Sequence, residues 1–113
     1  MNPASLIKVL LVEDDEDDFI LTRDVCDEIR SWKFELDWVR TYEAGLNAAV
    51  ANRHDICLVD YRLGAQTGIE LISAAIAGGC QSPIILLTGL GEHEVDVAAM
   101  RAGAADYLVK QRL

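Results

Sequence analysis

At 113 residues, 51% hydrophobic and 26% charged, the chain is large enough for one domain with a single core and too short for two. Its net charge of −9 repels a phosphate backbone and an anionic bilayer, which argues against direct binding of nucleic acid or membrane. No apolar stretch approaches the roughly 20 residues of a membrane helix, and no leader pattern opens the sequence. Cys26, Cys57 and Cys80 are too scattered for a disulfide framework or a C-x-x-C metal pair, so a reducing cytoplasm is the expected setting.

Residues 7–12 are apolar apart from Lys8, the pattern of a strand covered on both faces. Phe19, Leu21, Val25, Cys26, Ile29 and Trp32 then recur at roughly helical spacing, predicting a first helix with Ile29 and Trp32 on its apolar face. Phe34, Leu36 and Trp38 alternate with acids in a strand nearer the sheet edge, and Thr41 is placed to cap a second helix to about residue 51. Strand 56–59 follows, then a loop bounded by Gly64 and Gly68, a helix near 69–77 and a Gly78-Gly79 stop. Pro83 opens strand 84–87, a fourth helix runs from about Glu92 to Arg101, and strand 106–109 closes the pattern. Strands alternating with helices predict an α/β fold, a doubly wound five-stranded parallel sheet with right-handed crossovers. Five strands with only four helices leave one face or edge under-covered. The chain is therefore expected to lack a fifth helix and to be a fragment, residues 1–113, of a longer polypeptide.

Polar groups stand directly after the apolar runs: Glu13 and Asp14 after the first, Asp60 after the third, Thr88 after the fourth and Lys110 after the fifth. In an open parallel sheet such positions converge at the carboxyl ends of the strands, where ligands bind. Glu16, Asp17 and Asp18 are explained by the positive end of a helix dipole. Asp15 fits either a cap or the site. Glu13 and Asp14 would repel each other and their neighbours unless a cation joined them, and Mg²⁺ suits an open site of carboxylates, water and phosphate oxygens. Beside such a cation, Asp60 is a plausible phosphoryl acceptor, Thr88 a hydroxyl donor to the phosphoryl oxygens and Lys110 their compact cation. Taken singly, each residue also has an ordinary reading as turn, cap or solvated charge. His54 and His93 lack metal-ligand spacing and are expected to be plain surface residues.

Together these segments resemble the receiver domains of bacterial two-component response regulators over essentially the whole chain. The matching pieces are 9–15 (Val-Leu-Leu-Val-Glu-Asp-Asp), 58–63 (Leu-Val-Asp-Tyr-Arg-Leu), Gly68, 86–89 (Leu-Leu-Thr-Gly) and 102–110 (Ala-Gly-Ala-Ala-Asp-Tyr-Leu-Val-Lys). The resemblance implies a flavodoxin-like strand order 2-1-3-4-5. It also implies phosphoryl transfer onto Asp60 from a histidine kinase or histidine phosphotransfer protein, with Mg²⁺ held by Glu13, Asp14, Asp60 and the backbone carbonyl of Arg62. Thr88 and Lys110 match the phosphoryl-binding hydroxyl and cation, and Tyr107 the switch aromatic. The readout is expected on helix 92–101 with strand 106–109, acting on an output domain in cis or a partner protein, with a homodimer as an option. Such a domain promotes its own phosphorylation and dephosphorylation without being a turnover enzyme.

Three positions depart from the family pattern. Gly64 replaces a frequent proline and is expected to loosen the loop after Asp60. Gln111 replaces the proline that often follows the lysine, which puts the placement of Lys110 in question. Leu90 together with Arg62 predicts slow self-dephosphorylation. Competing readings are a phosphohydrolase of the haloacid-dehalogenase type, which needs an acid where Arg62 stands, and a flavin module, whose phosphate the acidic loop would repel. A third is a phosphorylation-independent interaction module, whose mark would be loss of the acceptor, metal acids or lysine; none is lost.

Overall fold

The computed structural model describes residues 6–89 and 93–112. Its strands are β1 (Leu6–Val12), β2 (Lys33–Val39), β3 (Ile56–Asp60), β4 (Ile84–Thr88) and β5 (Asp106–Val109). The helices are α1 (Glu16–Glu28), α2 (Tyr42–Val50), α3 (Gly68–Ala77) and α4 (His93–Ala102). The five strands form one sheet in the order β2-β1-β3-β4-β5, every pairing parallel. The expected doubly wound, flavodoxin-like sheet is therefore the observed one. The predicted start of the fourth helix at Glu92, and the Leu90 expectation, fall outside the described residues.

The chain steps outward from β1 to β2, then crosses back and proceeds through β3, β4 and β5. Right-handed crossovers put α1 on one face and α2, α3 and α4 on the other. The main core lies on the three-helix face, where Leu10, Val12, Cys57, Val59, Ile84 and Leu86 meet Ala49, Leu71, Ile72, Ala75 and Ala99. The α1 face is thinner: Leu58 and Ile85 are half-buried and Leu108 is exposed. Among the described residues only a single 3-10 turn, Lys110–Arg112, follows β5. The expectation of an under-covered face without a fifth helix thus holds.

Local details depart from the sequence reading in three places. Helix α1 stops at Glu28; Ile29 is extended (φ −80°, ψ 104°), its N–H bonded to the Cys26 carbonyl, and Trp32 lies in the turn into β2, exposed. The reason is register: β2 must be extended from Lys33 to pair with Leu6, so residues 29–32 are spent on the reversal. The loop after Asp60 is not loosened by Gly64. Arg62–Leu63 pairs antiparallel with Gln66–Thr67, and Gly64 turns the ribbon at φ +65°, a value proline cannot take. His54 is not a plain surface residue: its side chain is 7% exposed and Nε2 lies 2.9 Å from Asp37 Oδ2. Nothing is described of the His93 side chain.

Candidate functional site

The site forms where the winding reverses, at the carboxyl ends of β1, β3 and β5. β1 carries the chain into the core, so Glu13, next after Val12, is fully buried (0% exposed). Its backbone is fixed there by its N–H to the Val39 carbonyl at 3.0 Å. Asp14 follows on the rim, exposed. Asp15 then caps α1, its carboxylate accepting from the N–H groups of Asp17 and Asp18, which resolves its role as a cap.

Asp60 ends β3 and is 7% exposed. The chain can turn at once into the ribbon because Gly68 packs on it from the start of α3. A Cβ at Gly68 would collide with the Asp60 carbonyl oxygen and come within 2.9 Å of Leu86 Cδ1. Lys110, just past β5, reaches across the strand ends: its Nζ lies 2.7 Å from Asp60 Oδ1, 2.9 Å from Glu13 Oε1 and 2.6 Å from Asp18 Oδ2. Gln111 in place of proline therefore does not keep Lys110 out of the cleft.

Electrostatics follow from this crowding. Burial pushes the Glu13 carboxyl up from 4.5 to about 7, against the pull of Lys110. Asp60 is raised by the same desolvation, again opposed by Lys110. Burial disfavours the Lys110 ammonium, yet its carboxylate partners more than offset that, and its pKa stands above 10.5. One lysine thus holds together acids that burial would otherwise neutralise. Glu13, Asp14 and Asp60 each offer a carboxylate oxygen, all within 4.8 Å of one another. An all-oxygen set, two of whose members, Asp14 and Asp60, line a cleft of about 370 Å³ with Arg62 and Lys110, fits a hard divalent cation.

Thr88 ends β4, 1% exposed, with its hydroxyl donating to the Leu108 carbonyl at a long 3.5 Å. Tyr107 is half-buried and packs against the main core rather than lining the cleft. The sequence-predicted residues thus divide: Asp14, Asp60, Arg62 and Lys110 line the cleft, Glu13 lies buried beside it and paired with Lys110, and Thr88 and Tyr107 are not in its lining. Asp18 was missed. Its place in the first turn of α1 explained it by the helix dipole alone, and only the reach of Lys110, just past β5 and 92 residues away, makes it part of the site.

The sequence matches the response regulator receiver domain family over residues 9–112. The chain belongs to that family. It is 32% identical over 106 residues to the response regulator RppA of Synechocystis, covering 92% of this chain and 44% of the relative. It is 32% identical over 101 residues to the photosynthetic apparatus regulatory protein RegA of Rhodovulum sulfidophilum, covering 89% and 54%. The chain thus spans about half the length of these curated relatives. Among solved structures, the receiver domain of the Pseudomonas aeruginosa sensor histidine kinase PA1611, with magnesium coordinated in its active-site cleft, superimposes with a TM-score of 0.77 at 25% identity. That match covers 92% of this chain and 84% of the other. The alternatives of a phosphohydrolase, a flavin module or a phosphorylation-independent module are not favoured. Among the described residues no helix is long and apolar enough to cross a membrane.

Proposed function

We propose that Asp60 is the phosphoacceptor and that the chain is the receiving module of a two-component phosphorelay, part of a longer cytoplasmic polypeptide or acting on a separate partner. The observation that carries this reading is the Lys110 ammonium 2.7 Å from Asp60 Oδ1 inside an acid-lined cleft. In the transfer, an Asp60 carboxylate oxygen attacks phosphorus, the new O–P bond forms as the donor histidine's P–N bond breaks, and the imidazole leaves with its electron pair and takes a proton. Lys110 then supplies a fixed charge for the incoming phosphoryl oxygens. Because its ion pairs with Glu13 and Asp18 keep it in the cleft, little reorganisation is needed.

Glu13, Asp14, Asp60 and the Arg62 carbonyl would hold Mg²⁺, which when bound offsets the negative charge gathering at the phosphoryl group. Thr88 is the switch: its 3.5 Å bond to the Leu108 carbonyl is weak enough to exchange for a charge-assisted bond to a phosphoryl oxygen. Tyr107 follows inward, and the face of α4 and β5 reports the change. Turning a 1:99 population to 99:1 takes about 5.5 kcal/mol of differential contact, of which the new bonds from Thr88 and Lys110 supply a large part. The donor is a histidine kinase or histidine phosphotransfer protein, and the response reaches an output domain or a second copy of the chain.

Intact mass after incubation with acetyl phosphate tests the reading. The wild type is expected to gain one phosphoryl group only with Mg²⁺ present, and Asp60→Asn none. Equal gain in the variant would reject Asp60 as acceptor.

A further inference from the structure

The exposed metal-site acid, Asp14, has no burial to fix it, yet its backbone is held on both sides by side chains from the end of the edge strand β2 and the residue that follows it. Trp38 Nε1 donates to the Glu13 carbonyl at 2.7 Å, and Arg40 Nη2 donates to the Asp14 carbonyl at 3.3 Å. Those two oxygens belong to the two peptide planes that flank the Asp14 Cα. A peptide unit is planar, so holding both planes restrains the only two soft backbone dihedrals of Asp14, and with them the direction in which its Cα–Cβ bond leaves the turn. Parallel pairing of β1 with β2 ends at Val12 and Val39, apart from the Glu13 N–H to Val39 bond. Beyond that point, the two side chains continue the tie that the backbone ladder no longer provides.

The donors are themselves held. Phe19 of α1 stacks on Trp38 with ring centroids 4.0 Å apart and planes 5° from parallel, and the Arg40 guanidinium lies 4.8 Å from the indole centroid. A guanidinium over an indole face is attracted by the ring quadrupole. Ring, cation and helix α1 thus form one column whose polar ends meet at the acidic turn. A merely space-filling indole would need no bond to the Glu13 carbonyl, and a merely solubilising Arg40 would not lie over the ring.

We propose that Trp38 and Arg40 are positioning residues that set the orientation of the Glu13–Asp14 turn for cation binding, and that the Trp38 indole N–H reports occupancy of that site. This rests on the assignment of Glu13, Asp14 and Asp60 as cation ligands. The chain has two tryptophans, and Trp32 lies among Leu6, Phe34 and Pro83 at the amino ends of the strands, an internal control.

The test is a Mg²⁺ titration of the chain followed by the two indole N–H resonances and the Glu13 and Asp14 amides. The Trp38 indole resonance is expected to move with the two amides while that of Trp32 stays. Trp38→Phe keeps an aromatic stack and loses the donor; Arg40→Met removes the exposed cation, with little demand on folding. Each is expected to weaken Mg²⁺ binding about three- to ten-fold, the worth of one net hydrogen bond. A stationary Trp38 indole at Mg²⁺ saturation, or unchanged affinity in a folded Arg40→Met, overturns the positioning role and leaves the cation site standing. A wild-type chain whose Glu13 and Asp14 amides ignore Mg²⁺ overturns both.

Discussion

Glu13→Gln isolates the energetic cost built into this cleft. Glu13 is fully buried, and its carboxyl is raised from 4.5 to about 7, chiefly by burial. A group whose pKa is higher in the folded state favours folding fully below its unfolded value and loses that contribution as pH rises through the folded one. Without metal, the wild type is therefore expected to lose stability between about pH 4.5 and pH 7. The displacement corresponds to about 3 kcal/mol between neutral and ionised Glu13, an upper bound because relaxation and water penetration lower the penalty of a buried charge. Glutamine mimics the neutral acid and can still accept from Lys110, which keeps Asp18 and Asp60 as partners. At pH 8 in chelator the variant should be more stable by about 1–3 kcal/mol, some 4–13 °C in Tm for a domain of this size. At pH 5 the difference should shrink to about 1 kcal/mol or less. Thermal unfolding by circular dichroism at the two pH values decides. A variant equally or less stable at pH 8, or a gain that does not change with pH, would refute the reasoning.

Other expectations follow from the same geometry. Because a proton on Glu13 competes with a cation, Mg²⁺ affinity should rise between pH 6 and 8, and calorimetric titrations showing a flat profile would contradict the burial argument. Gly68→Ala drives a Cβ into the Asp60 carbonyl, so it should cost about 1–3 kcal/mol, read as a lower denaturation midpoint; an unchanged midpoint would mean that the contact yields freely. Burial pushes the Cys57 thiol up to about 12 and leaves it 1% exposed. Under native conditions Cys57 should therefore react with a disulfide reagent last of the three cysteines, only as fast as the chain opens. Rapid loss of all three thiols would show that β3 is not closed over.

Much of this was legible in the sequence because two levels agreed. Apolar runs marked the strands, and the residues just after them, Glu13, Asp14, Asp60 and Lys110, could only gather at the strand ends of a parallel sheet. What escaped depended on contacts between distant segments. Ile29 and Trp32 kept a helical period, but pairing of Lys33 with Leu6 took them out of the helix. His54 looked solvated, and only the fold brings its Nε2 to Asp37 on the edge strand β2. Asp18 had a sufficient local explanation, which concealed its ion pair with Lys110. Nor could alternation along β2 reveal that Trp38, and Arg40 just past the strand, aim donors at the acidic turn.

The central claim is that Asp60 carries the phosphoryl group, and borohydride trapping tests it most directly. Reduction of an acyl phosphate converts the modified aspartate to homoserine, which peptide mass spectrometry locates. After exposure to a phosphohistidine donor with Mg²⁺, the account predicts homoserine at position 60 and nowhere else. Homoserine at position 14 or 18, or none in a folded, Mg²⁺-bound chain, would contradict it.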